Sequence, residues 1–169
     1  KSDVILVLSP SNPEKHLGYA KTVLKYGKRT YIDKTFAPNI DHASKIFAIA
    51  KEYNTPFFSS SALRYSTELD DIDNVCQAVI YGNGGSVNEY IVHQIEMLVK
   101  KLGVGATAVK AETVGQEKYF FVKYDDGRSG MLNYGDYEFA FLLKNGKEKL
   151  KKRIKSDFFK GLMADILSF

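Results

Sequence analysis

Cysteine is nearly missing from this chain. Cys76 stands alone, so no internal disulfide can form and the fold must rest on packing, which is compatible with a reducing compartment; a cytoplasmic location is the expectation. Histidine is scarce too. His16, His42 and His93 are accompanied by no HExxH spacing and no cysteine cluster, so a catalytic metal is not expected. The longest apolar runs, such as "DVILVLS", are one strand long and fall far short of the ~20 residues a membrane-spanning helix needs. Internal repeats, low-complexity segments and a signal-peptide pattern are absent, and the first residue is Lys1; the chain is expected to be a piece of a longer product. Charge of one sign is not abundant either: 24 basic residues face 20 acidic ones for a net +4. Most of that excess lies in "KNGKEKLKKRIK", which leaves no broad basic face, so nucleic-acid binding is not expected.

What is present, in 169 residues, is enough apolar sequence for one ordinary domain or two small ones. Residues 1–65 alternate short, wholly apolar runs with helical stretches, the pattern of parallel strands covered on both faces. Val4–Leu8, Thr30–Ile32 and "TPFFSS" read as strands. A helix starting near Pro13 carries Leu17, Ala20, Val23 and Leu24 on one face and stops at Gly27; a second, after Pro38, carries Ile40, Ala43, Ile46, Phe47 and Ala50. Beyond residues 65–74 the pattern changes to "VCQAVIY", a "GNGG" turn, a helix over Ser86–Leu102, and strands joined by Asp-Gly and Asn-Gly turns that predict antiparallel hairpins. Residues 144–155 read as a solvated turn and helix start, Cys76 as a small buried strand residue, and "SDFFKGLMADILSF" as an amphipathic helix capped by Ser156 or Asp157, with Phe158, Leu162, Ile166 and Phe169 in its stripe. The expected architecture is α/β: a partial Rossmann-like parallel sheet over 1–65, then an α+β domain with a mainly antiparallel sheet over 66–169.

The helix over Ser86–Leu102 carries the chemistry-bearing residues. At roughly 100° per residue, Val87, Ile91, Ile95, Leu98 and Leu102 share one face. Glu89, His93, Glu96 and Lys100 line a narrow polar strip, which is either a solvated row of ion pairs or the wall of a cleft. At the other end of the chain, "YIDKTFAP" delivers Asp33 and Lys34 at the carboxyl end of a strand, where open α/β sheets bind ligands.

Taken in order, Pro10 with Asn12, His16, Gly27-Lys28, Asp33-Lys34-Thr35, Arg64-Tyr65, Glu89-x-x-x-His93 and Leu102-Gly103 resemble the glucose-fructose oxidoreductase and inositol dehydrogenase family over most of the chain. There the corresponding motifs are Glu-Lys-Pro and Asp-x-x-x-His. The resemblance implies an NAD- or NADP-dependent oxidoreductase that moves hydride between nicotinamide and a sugar, polyol or related hydroxy compound. It gives His93 the role of general acid/base, Lys34 that of hydrogen-bonding the substrate oxygen and the nicotinamide ribose, and Glu89 that of orienting substrate or histidine. Pro10, Asn12, His16 and Arg64 would line the cofactor side. Lys34 and His93 are expected to converge on one pocket.

Two positions depart from the family pattern. Thr35 stands where the family has proline, and Glu89 is one methylene longer than the family's aspartate. The family's first βαβ unit, with its Gly-x-Gly-x-x-Gly phosphate loop, is also lacking, and "GNGGS" at 82–86 does not have that spacing. A non-catalytic sugar-binding module therefore stands as the alternative. So does a homo-oligomerising module, since family members pair through the open face of the antiparallel sheet; "YFFVKY" and "YEFAFLL" would supply that face or cover the long helix.

Overall fold

The computed structural model describes residues 2–9 and 12–169. They form two compact units, one of the described residues up to Ser61 together with Leu162–Phe169, the other Ala62–Gly161. In the first unit β1 (Val4–Val7), β2 (Arg29–Ile32) and β3 (Phe57–Phe58) form a parallel sheet in that order. The crossovers are helical, as parallel pairing requires: α1 (His16–Val23), extended at both ends by single 3-10 turns, and α2 (Ile40–Glu52). Pro13 opens the first of those turns. Gly27, at φ +62°, closes the second in the left-handed conformation that glycine adopts without penalty.

Val7, Ala20, Leu24, Ile32, Ile46 and Ala50 make the core of this unit. Of the apolar residues that mark α2 in the sequence, Ile40 and Phe47 are 82% and 59% exposed. The buried stripe narrows to Ile46 and Ala50, while Phe47 packs its ring edge-on against Phe36 and Phe57.

The second unit is a six-stranded sheet carrying one long helix, α3 (Val87–Leu102). Its strands are β4 (Gln77–Gly82), β5 (Ala106–Val114), β6 (Glu117–Tyr124), β7 (Ser129–Tyr134), β8 (Ala140–Lys144) and β9 (Lys149–Arg153), in the order β5-β6-β7-β4-β8-β9. Every neighbouring pair is antiparallel except β4 with β7. Alternation divides the sheet into two faces. Ala78, Ile80, Val122, Leu132, Phe141 and Leu143 join Met97, Leu98 and Leu102 of α3 in the core, leaving Val79, Phe121, Met131 and Leu142 on the opposite, open face.

Two expectations fail here. Residues 144–155 are not a turn leading into a helix: Asn145 and Gly146 turn the chain back so that β9 pairs with β8, and Leu150 and Ile154 pack against the core. Cys76 is half-buried and precedes β4, its backbone N–H donating to Lys144 O at 2.8 Å. The last helix, α4 (Phe158–Ser168), is capped by Asp157, which accepts the Lys160 N–H at 3.3 Å. Ser156 is engaged elsewhere, donating to Glu68 at 2.6 Å. Leu162 and Ile166 are buried, and the Phe169 ring, 38% exposed, lies edge-on to Phe58 at 4.7 Å.

Candidate functional site

Lys34 follows the last residues of β2, and the segment around it is fixed from three sides within the first unit. The Asp33 N–H donates to Val7 O at 3.0 Å, prolonging the β1–β2 ladder by one residue. The Tyr31 hydroxyl is shared between the Asp33 carboxylate at 3.2 Å and Ser60 O at 3.0 Å. Beyond the lysine, the fully buried His16 ring places Nδ1 at 3.0 Å from Phe36 O. A carbonyl only accepts, so Nδ1 donates, and the buried Nε2 has no hydrogen-bond partner among the described residues. The Lys34–Thr35 peptide is cis. Lys34 and Asn12 are half-buried, and Pro10 lies outside the described residues.

In the second unit α3 turns differently from the wheel derived from apolar spacing. Gln94, not Ile95, faces the core: Gln94 is fully buried and Ile95 is 42% exposed. The reason is a pair of strand carbonyls. Gln94 Nε2 donates to Ile80 O at 2.9 Å and Asn133 O at 2.8 Å, so an amide can be buried here where an unsatisfied polar group could not. This rotation keeps His93 half-buried, its ring 5.7 Å from those of both Tyr90 and Phe139.

Further along the helix the polar strip is an ion-pair row. Arg64 reaches Glu96 at 2.8 Å and Lys100 reaches Asp70 at 2.7 Å. Glu89, half-buried, is one turn before His93. Burial pushes the Tyr134 phenol above its ordinary pKa, and the nearby Tyr90 and Glu89 add to the shift. The Tyr134 hydroxyl donates to Gly84 O at 2.8 Å, fastening the loop that opens α3.

The structure thus groups Glu89 and His93 with Tyr90, Tyr134 and Phe139, and couples Arg64 to Glu96 of the same helix. Lys34, His16 and Asn12 stand in the other unit. Sequence reasoning missed Tyr90, Gln94, Tyr134 and Phe139. Only the Glu89–His93 spacing pointed at this place, because aromatic neighbours from separate strands leave no local periodicity. Among the described residues, no group of three His, Cys, Asp or Glu is placed to hold a metal ion, and no helix is long and apolar enough to cross a membrane.

A second polar cluster sits on the open sheet face. Tyr119 and Tyr137 each donate a phenol hydrogen bond to the Glu117 carboxylate, one to each oxygen. The bond from Tyr119, with that from Tyr137, lowers the Glu117 pKa, and the bond to Glu117 pushes Tyr119 up to about 12. Beside this cluster the face carries a hollow of about 490 Å³, lined by Val79, Ala108, Phe121, Met131 and Leu142 among others.

No protein-family profile matches the chain. A segment of 49 residues, 29% of the chain, is 39% identical to an uncharacterised oxidoreductase, YhhX, of Escherichia coli strain K12, and covers 14% of that protein. Among solved structures, UDP-N-acetylglucosamine 3-dehydrogenase GnnA from Acidithiobacillus ferrooxidans superposes with a TM-score of 0.78 at 12% identity, covering 98% of this chain and 68% of that one. The WlbA dehydrogenase from Chromobacterium violaceum, in complex with NADH and UDP-GlcNAcA, gives 0.71 at 12% identity, over 100% of this chain and 64% of that one. The chain therefore spans only part of the proteins it resembles. With its parallel β1–β3 layer, its six-stranded mixed sheet and the long helix α3 between β4 and β5, the chain has the fold of the glucose-fructose oxidoreductase and inositol dehydrogenase family.

Proposed function

We propose that this chain is part of a nicotinamide-dependent oxidoreductase that moves hydride to or from a sugar, polyol or related hydroxy compound, with NAD or NADP as cofactor. The observation that carries this reading is the half-buried His93 on α3, one turn after Glu89, in a chain that also places Lys34 two residues after the end of β2. Imidazole titrates near neutrality and can pass the hydroxyl proton while hydride leaves the same carbinol carbon. A lysine ammonium stabilises the alkoxide that develops as that proton departs. Glu89 orients the substrate or the histidine, and Asn12, His16 and Arg64, with Pro10, are assigned to the cofactor side. The solved relative that holds NADH and a UDP-sugar supports the cofactor and substrate class.

The test is hydride transfer by the full-length protein, followed through the absorbance of reduced nicotinamide over a panel of sugars and polyols. Lys34→Ala and His93→Ala are each expected to lower kcat by roughly 100-fold or more. A folded full-length protein that binds no nicotinamide overturns the reading.

One observation favours a second reading, a self-pairing or sugar-binding module without chemistry. The open sheet face exposes Val79, Phe121, Met131 and Leu142 around its hollow, an apolar surface suited to a second copy of the chain. Ligand binding that survives Lys34→Ala, without hydride transfer, would support this alternative.

A further inference from the structure

The loop from β4 to α3, "GNGGS", reads in the sequence as an ordinary turn, but two of its glycines are constrained by aromatic rings. Gly82 is the last residue of β4 and pairs with Tyr134 of β7. Its backbone is that of a regular strand, which any residue adopts. A Cβ there would nevertheless lie 2.5 Å from Phe139 Cε1 and 2.7 Å from Cδ1, and 3.1 Å from Gln94 Cγ. A Cβ on Gly84 would overlap the Tyr90 ring and its Cβ outright. Gly85, in the same loop, is different: an added methyl meets only Tyr90 Cε2, at an ordinary 3.8 Å. Gly84 also has φ +159°, a backbone that side-chain-bearing residues rarely adopt, whereas neither Gly82 nor Gly85 has a positive φ; ring packing alone sets Gly82 apart from Gly85, and at Gly84 it adds to the backbone requirement.

The two rings that occupy the missing side-chain volumes are the ones that pack against His93, each with its centroid 5.7 Å from the imidazole. Tyr90 lies on α3 itself, one turn before the histidine, and Phe139 comes from the approach to β8. We propose that Gly82 and Gly84 are positioning residues for His93: by lacking side chains they let Phe139 and Tyr90 seat against the backbone, and those rings set the orientation of the imidazole. Two neighbouring contacts hold the frame to which the rings are fitted. The Tyr134 hydroxyl anchors Gly84 O at 2.8 Å, and Gln94 ties α3 to the Ile80 and Asn133 carbonyls. The consequence of this packing for catalysis rests on the reading of His93 as the proton-transfer group.

The test is a comparison of His93 ring-proton resonances in full-length protein labelled at histidine, the signal being assigned by its disappearance in His93→Asn. Gly82→Ala and Gly84→Ala are expected to shift the His93 signals, because ring-current contributions from Phe139 and Tyr90 change with their positions, while Gly85→Ala leaves them in place. Tyr90→Leu and Phe139→Leu remove a ring without touching the loop, and each is expected to shift the same signals. These two decide the matter if the glycine variants do not fold. His93 signals unchanged in folded Gly82→Ala and Gly84→Ala, or in both leucine variants, overturn the proposal. In turnover assays the glycine variants are expected to lose roughly 10- to 100-fold in kcat, with KM little altered. A wild-type protein that transfers no hydride would remove the assigned chemistry and leave the resonance experiment to judge the packing.

Discussion

Gln94 illustrates how a single side chain orients an element. Apolar spacing alone turns α3 towards Ile95, yet the helix settles with an amide inside, donating to two strand carbonyls. Gln94→Ala removes both bonds and leaves a void, so it is expected to cost about 2–4 kcal/mol, measured by urea denaturation. Glu117 gives a pH prediction at the same scale. Its pKa is lowered by the phenol bonds of Tyr119 and Tyr137, so its contribution to stability is complete above the ordinary glutamate range and fades as pH falls through the lowered folded value. Tyr119 runs the opposite way. Its folded value of about 12 lies above the ordinary 10.0, so stability falls as pH rises between them. Carboxyl resonances followed by NMR, with Tyr119→Phe and Tyr137→Phe each expected to move Glu117 back towards ordinary glutamate, check the first statement. Tyrosinate absorbance checks the second. Neither Gln94 nor the Glu117 cluster was legible in the sequence, because the partners that make them tolerable arrive from other strands.

At the level of elements, β9 was the misread segment. Lysine-rich "KEKLKKR" suggested a solvated helix start, but Leu150 in β9 and Ile154 just past its end pack against the core, and Asn145 accepts the Lys147 and Glu148 N–H groups at 3.1 and 2.8 Å. Asn145→Ala should weaken this hairpin by about 1 kcal/mol, seen as faster amide exchange across the β8–β9 pair. A comparable device precedes α4. Glu68 accepts the Lys155 and Ser156 N–H groups, both at 2.8 Å, and the Ser156 hydroxyl at 2.6 Å. Burial pushes the Glu68 pKa up, yet the bonds from Ser156 and Lys155 together outweigh it and hold the carboxyl below its usual range. Glu68→Ala is expected to destabilise the second unit by about 1–3 kcal/mol, with amide exchange around Ser156 as the readout.

For the whole molecule, the open sheet face carries the proposal of self-pairing. Phe121, 39% exposed beside Met131 and Val79, is the residue to change. Phe121→Lys is expected to keep the fold and to shift sedimentation from dimer towards monomer, whereas a wild-type protein that is monomeric at high concentration rejects pairing.

The sequence by itself determined the class of structure: apolar runs alternating with helices dictate a parallel layer, Asp-Gly and Asn-Gly turns dictate hairpins, and apolar spacing closed by Gly103 dictates the long helix that carries Glu89 and His93, since each is a local consequence of backbone sterics and side-chain period. The tertiary structure alone decided the return of Leu162–Phe169 to the first unit, the parallel pairing of β4 with β7, the rotation of α3 about Gln94, and the rings that Gly82 and Gly84 admit beside His93. These depend on groups distant in sequence meeting at close range, and no local pattern encodes which carbonyl or ring will be there.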